Sequence, residues 1–85
     1  MKEFSYVIKD EIGIHARPAG MLAKTAKAFA SKVTITANGK TVEASKLMAV
    51  MSLGVKQGEE VVIADEGADE DAAIAKMEEF MNANL

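Results

Sequence analysis

Gly13-Ile14-His15-Ala16-Arg17-Pro18-Ala19 joins an alternating apolar run to a helical one, and the fold is read outward from it. The glycine permits a tight turn out of a first strand. Pro18 belongs in a first helical turn, where a missing N–H costs little. His15, the only histidine in the 85 residues, therefore falls at or near the N-cap of a helix. There it faces backbone N–H groups that have no partner inside the helix, at the positive end of the helix dipole.

Upstream, Phe4, Tyr6 and Ile8 alternate with Ser5, Val7 and Lys9, the period of a half-buried strand. Downstream, Ala19, Leu22, Ala26 and Phe29 recur at helical spacing and should face the core, with Lys24 and Lys27 on another face. Val33, Ile35 and Ala37 alternate with Thr34 and Thr36 as a second strand, and Asn38-Gly39 suits a type I′ turn into a third over Lys40 to Glu43. Leu47 to Leu53 is a short apolar run closed by Gly54, read as a brief helix. Gly58 turns into a fourth strand over Glu60 to Ala64. Asp69 suits the N-cap of a last helix, with Glu70 and Asp71 in its first turn and Ala73, Met77, Phe80 and Met81 as its buried stripe. The order is βαββαβα, an α+β open-faced sandwich in a single domain over residues 1–85. Strands that alternate apolar with polar leave one sheet face open and the other under the helices.

The His15 corner suits anions, and Arg17 adds a planar guanidinium matched to phosphate oxygens. A nucleophilic imidazole beside a phosphate cradle points to a histidine that carries a phosphoryl group. The competing reading, commoner for a lone histidine near a helix start, is a solvated loop residue or a simple cap. Turn glycine, histidine, arginine and helix-starting proline all serving one purpose favour the first. Other chemistries lack their parts: there is no cysteine, no second histidine for a metal site, and no G-x-x-x-x-G-K-[ST] phosphate loop. Neither metal nor cofactor is expected.

The length gives one small core, with no internal repeat, low-complexity tract or linker. Met1-Lys2-Glu3-Phe4 lacks an apolar signal region and no run reaches membrane-spanning length, so no membrane insertion and a cytoplasmic location are expected. The net charge of -3 argues against nucleic acid. Its distribution is uneven: residues 1–56 hold nine Lys or Arg against four Asp or Glu, and residues 57–85 hold one against nine. A basic histidine half favours docking on an acidic partner, although scattered surface charge would look the same.

Gly13-Ile14-His15-Ala16-Arg17-Pro18-Ala19, Asn38-Gly39-Lys40, Met48-Ala49-Val50-Met51-Ser52-Leu53-Gly54 and Gly67-Ala68-Asp69-Glu70 together carry a resemblance. Over essentially its whole length the chain resembles the histidine-containing phosphocarrier (HPr) family of the bacterial sugar phosphotransferase system. The resemblance implies a four-stranded antiparallel sheet with three helices on one face. It implies that His15 accepts a phosphoryl group, on Nδ1, from phosphorylated enzyme I, itself charged by phosphoenolpyruvate. His15 would then pass the group to sugar-specific enzyme II A components or domains. Nothing hydrolyses the bond in that scheme, so a carrier and not an enzyme is implied. The imidazole must be unprotonated to attack. Ala16 and Arg17 would hold the phosphoryl oxygens.

One docking face must serve several partners. The resemblance puts Leu47, Met48 and Met51 there with Gly20, Lys24 and Lys27, and flexible methionines suit a surface that adapts. From spacing alone, a Met-Leu run in a short helix is more often core. Gly20 stands where the family more usually has a small side chain, and costs the helix up to about 1 kcal/mol relative to Ala. Low-GC Gram-positive members carry a regulatory serine, the substrate of an HPr kinase, where this chain has Lys46. The hydroxyl here, Ser45, comes one residue early, about 100° away in direction on a helix. Carrier function kept and serine regulation weak or lost is the expectation, in a monomer. The nearest alternative is an HPr-like paralogue in a regulatory, for example nitrogen-linked, phosphorelay. An RNA-binding module would need exposed aromatics that four aromatic residues hardly supply, and a non-catalytic structural domain would leave His15 without a task.

Overall fold

Alternation along the strands is realised face by face. In β2 (Lys32–Ala37) the residues Val33, Ile35 and Ala37 are buried while Thr34 and Thr36 are half-buried on the opposite side. In β4 (Glu60–Glu66) Val61 and Ile63 are buried likewise. β1 (Lys2–Val7) turns Phe4 and Tyr6 toward the same core and leaves Ser5 and Val7 exposed. The period of 2 therefore sorts each strand into a core face and an outer face.

The computed structural model describes residues 1–85 and gives one antiparallel sheet of order β1-β4-β2-β3, where β3 is Lys40–Glu43. β4 lies between the two N-terminal strands: Phe4 and Ile35 both stand opposite Ile63. Asn38 (φ 53) and Gly39 (φ 77) make the left-handed pair that the β2–β3 turn requires. With α1 (Ala16–Lys27), α2 (Leu47–Met51) and α3 (Glu70–Asn84), the order is βαββαβα with three helices, as the patterning predicts. Ala19, Leu22 and Ala26 of α1, Val50 of α2, and Met77, Phe80 and Met81 of α3 join the strand residues in one cluster of 18 buried side chains. No helix is long and apolar enough to cross a membrane.

Three expectations change. Phe29 is half-exposed and outside the core cluster, because α1 ends at Lys27. The chain then closes in tight turns, Ala28 N–H to Thr25 O and Phe29 N–H to Ala26 O, so helical spacing no longer carries it inward. Ala23 is buried instead. β4 runs on past Ala64 to Glu66 and takes Asp65 into the covered face. Asp69 occupies the N-cap position of α3 but does not cap it. Its carboxylate accepts instead from the N–H groups of Ala30 (2.9 Å) and Ser31 (2.8 Å) and from the Ser31 hydroxyl.

Candidate functional site

The approach to His15 is built from backbone contacts. Asp10 opens a turn in which Gly13 N–H donates to its carbonyl (3.0 Å) and Ile12 N–H to its Oδ1 (2.9 Å). Gly13 has φ +83, and a Cβ there would lie 2.3 Å from the Val55 carbonyl oxygen and 2.7 Å from Lys56 Cα. Its role is thus close approach as well as turning: it lets Ile14 N–H donate to Val55 O at 3.1 Å and seats Ile14 in the core. On the other side, Leu85 O accepts from the N–H groups of Lys9 (2.7 Å) and Asp10 (2.9 Å).

His15 is the N-cap of α1, with extended backbone (φ -114, ψ -179), and its carbonyl accepts from Ala19 N–H at 3.0 Å. No side chain caps the helix. Pro18 has no N–H, so the first-turn donors without an intrahelical partner are those of Ala16 and Arg17, both exposed residues. The imidazole is 35% exposed, open to a partner yet held at the helix mouth. Its Nε2 lies 3.9 Å from Asp10 Oδ1. Asp10, His15, Arg17, Pro18, Met21, Ala83 and Asn84 line an open cleft of about 330 Å³. Arg17 shares this cleft with His15, as the sequence spacing requires.

Of the expected docking residues, Lys24 and Lys27 are exposed and Gly20 is half-buried with nothing within 4 Å of where a Cβ would stand. Leu47, Met48 and Met51 are exposed, Met48 by 75%, while Val50 and Leu53 of the same run enter the core. The apolar run thus divides between an inward and an outward side, and α2 packs against α1. Asn38 Nδ2 donates to Leu53 O (3.0 Å) and fixes the end of this segment to the β2–β3 turn. Lys46 is the N-cap of α2 with no side-chain cap, and its Nζ lies 3.0 Å from Glu43 Oε2, which holds the Glu43 carboxyl below its usual range. Ser45 stands in the preceding turn, half-buried.

Asp10, Met21, Ala83 and Asn84 belong to the cleft without having been expected there. For Asp10 a signal existed, since Asp followed by Gly three positions later marks a turn whose first side chain bonds the backbone two residues on. For the end of α3 no local pattern tells which corner of the sheet it reaches.

The family described as PTS HPr component phosphorylation site matches residues 2–83. The chain is 43% identical to phosphocarrier protein HPr of Mycoplasma capricolum subsp. capricolum over 81 residues, 95% of this chain and 91% of that protein. Among solved structures it is similar to the mycoplasma histidine-containing phosphocarrier protein, with TM-score 0.94 and 41% identity over 96% of this chain and 93% of the other. It is also similar to HPr of Thermoanaerobacter tengcongensis, with TM-score 0.92 and 40% identity over 98% and 93%. A match over nearly the whole chain, in sequence and in fold, has one meaning: the chain belongs to the HPr family, the phosphocarriers of the phosphotransferase system.

Proposed function

We propose that His15 accepts a phosphoryl group from phosphorylated enzyme I and passes it to enzyme II A components for sugar uptake, with residues 1–85 as one phosphocarrier domain acting as a monomer. The observation that carries this is the uncapped start of α1. His15 stands there beside two unpartnered N–H groups and Arg17, in an open cleft. Nδ1, assigned by family resemblance, donates its lone pair to phosphorus as the bond to the donor breaks. On delivery the same bond breaks and phosphorus joins the acceptor. The phosphoryl oxygens take the Ala16 and Arg17 N–H groups and the Arg17 guanidinium, while Gly20, Lys24, Lys27, Leu47, Met48 and Met51 form the docking face. Positioning and charge stabilisation do most of the work in such a transfer. Intact-mass analysis after incubation with enzyme I and phosphoenolpyruvate tests the reading. One acid-labile phosphoryl group on the wild type and none on His15→Ala supports it, and a wild type left unmodified by an active enzyme I overturns it.

We also infer that Ser45 is a poor substrate for HPr kinase. The family's regulatory position is Lys46, whose ammonium is turned to Glu43, and α2 starts only at Leu47. Stoichiometric phosphate on Ser45 after incubation with the kinase and ATP would sink this.

A further inference from the structure

The inward series of β4 runs Val61, Ile63, Asp65, two apolar side chains and then a carboxylate. Asp65 is fully buried, and neither of its oxygens has a hydrogen-bond partner. In register it stands between Lys2 of β1 and Val33 of β2. The charged groups around it offer no relief. Asp69 and Glu70 at the head of α3 are both negative and act on it through space. From β1, Lys2 Nζ is turned to Asp71 (3.5 Å) and the Met1 amine to Glu70 (3.2 Å). From the approach to β2, the Ser31 hydroxyl donates to Asp69, and Lys32 is exposed. No group of three His, Cys, Asp or Glu side chains converges to hold a metal ion.

The same corner is closed by contacts that can part. Ala30 and Ser31 are tied to the Asp69 carboxylate, and Gly67 is pressed on Ser31, where a Cβ would come within 2.7 Å of Ser31 Cα. A buried carboxylate without donors is tolerated as the neutral acid and strongly disfavoured as the anion. Lifting of the link from β4 to α3 off Ser31, two to four residues beyond Asp65, is a route by which the anion would gain water.

We propose that Asp65 is a proton-operated latch on the corner formed by Ser31, Gly67 and Asp69: protonated, it lets β4 close under α3, and ionised, it loosens that closure at the end of the domain remote from His15. Burial, reinforced by Asp69 and Glu70, pushes its pKa up to about 6, so the proton is lost in the weakly acid range. The latch predicts local opening that becomes easier as pH rises from about 4 to about 6 and levels off above, by up to about a hundredfold.

The test is carbon-detected titration of the Asp65 carboxyl together with amide hydrogen exchange at Ala30 and Ser31 between pH 4 and 7.5, in wild type and Asp65→Asn. Rates are corrected for intrinsic base catalysis. The expected result is an Asp65 midpoint well above the usual carboxylate range. Exchange at Ala30 and Ser31 should outpace that of Ile35 and Ile63, and its pH dependence should disappear in Asp65→Asn. Two outcomes overturn the proposal: an Asp65 carboxyl titrating near 4, or Ala30 and Ser31 exchanging only at the rate of the core amides. Should Asp65→Asn fail to fold, the wild-type titration and the comparison of corner with core still decide.

Discussion

The Asp69 carboxylate, at the head of α3, closes on Ser31, 38 residues earlier in the chain and just beyond the exit from α1. One side chain thus holds two backbone donors and a hydroxyl of a distant turn, and the ends of two helices are fixed to each other. Those three donors, the Ser31 hydroxyl foremost, hold the Asp69 carboxyl below its ordinary range. Ser31→Ala removes the hydroxyl alone and should cost about 1 kcal/mol. Asp69→Ala, which leaves the Ala30 and Ser31 N–H groups without their acceptor, should cost more. Urea unfolding of both and of the double variant checks this. The double variant should lose less than the two single losses combined, because the residues share one interaction.

Gly13 and Gly20 should respond oppositely to alanine. At Gly13 the methyl meets the Val55 carbonyl and the left-handed φ is unfavourable, so about 2 kcal/mol or more of stability goes, and phosphoryl acceptance at His15 falls with the displaced turn. At Gly20, inside α1 with open space around it, alanine should add about 0.5–1 kcal/mol through helix propensity. Thermal unfolding of the pair, with phosphorylation assayed on the folded fractions, separates the two effects.

Met48 and Val50, two positions apart on α2, should divide docking from folding. Met48→Ala, at an exposed site, should leave stability within about 0.5 kcal/mol and slow phosphoryl exchange with partners. Val50→Ala, in the core, should cost roughly 1–3 kcal/mol and leave the exchange rate of the folded protein alone. A Met48→Ala protein as fast as the wild type with both enzyme I and an enzyme II A component would remove α2 from the docking face.

Stability should peak in mildly acid solution. Asp65 has a folded-state pKa near 6 against 3.8, through burial first and then Asp69 and Glu70. Its contribution is therefore complete below about 3.8 and lost as pH rises through 6. That loss is about 3 kcal/mol at most. Asp69, Glu70 and Glu43 are shifted the other way, chiefly by hydrogen bonds from the Ser31 hydroxyl, the Gly67 N–H and Lys46 respectively. What they contribute is present above their ordinary pKa values and is lost as pH falls. Denaturation midpoints from pH 3 to 8 should show a maximum at about pH 4.5, and Asp65→Asn should flatten only the fall on the alkaline side.

Much of the fold was legible because its signals are local. Val33-Thr34-Ile35-Thr36-Ala37 alternates, Asn38-Gly39 turns, and Ala73, Met77, Phe80 and Met81 recur at helical spacing, and the structure places each accordingly. Pro18 behind His15 put the start of α1 at or near His15, and His15 is its N-cap. What failed depended on a partner far along the chain or on where an element stops. Asp69 reads as a cap until Ser31 competes for its carboxylate, and Phe29 reads as core until the helix ends two residues before it. The alternation of Val61 and Ile63 puts Asp65 on the inward side only if β4 outlasts Ala64, and an acidic pair, Asp65-Glu66, reads as the end of a strand.

The insertion of β4 between β1 and β2 also governs when the domain can form during synthesis. The first two strands never pair with each other, so β1 has no sheet neighbour, and β2 only β3, until residues 60–66 have left the ribosome. His15 is made early, but the turn leading to it leans on Val55 and is held by Leu85. Contacts so distant in sequence make assembly a late event. An unfinished chain therefore has the histidine without its setting, and the cleft around it is complete only with the last helix.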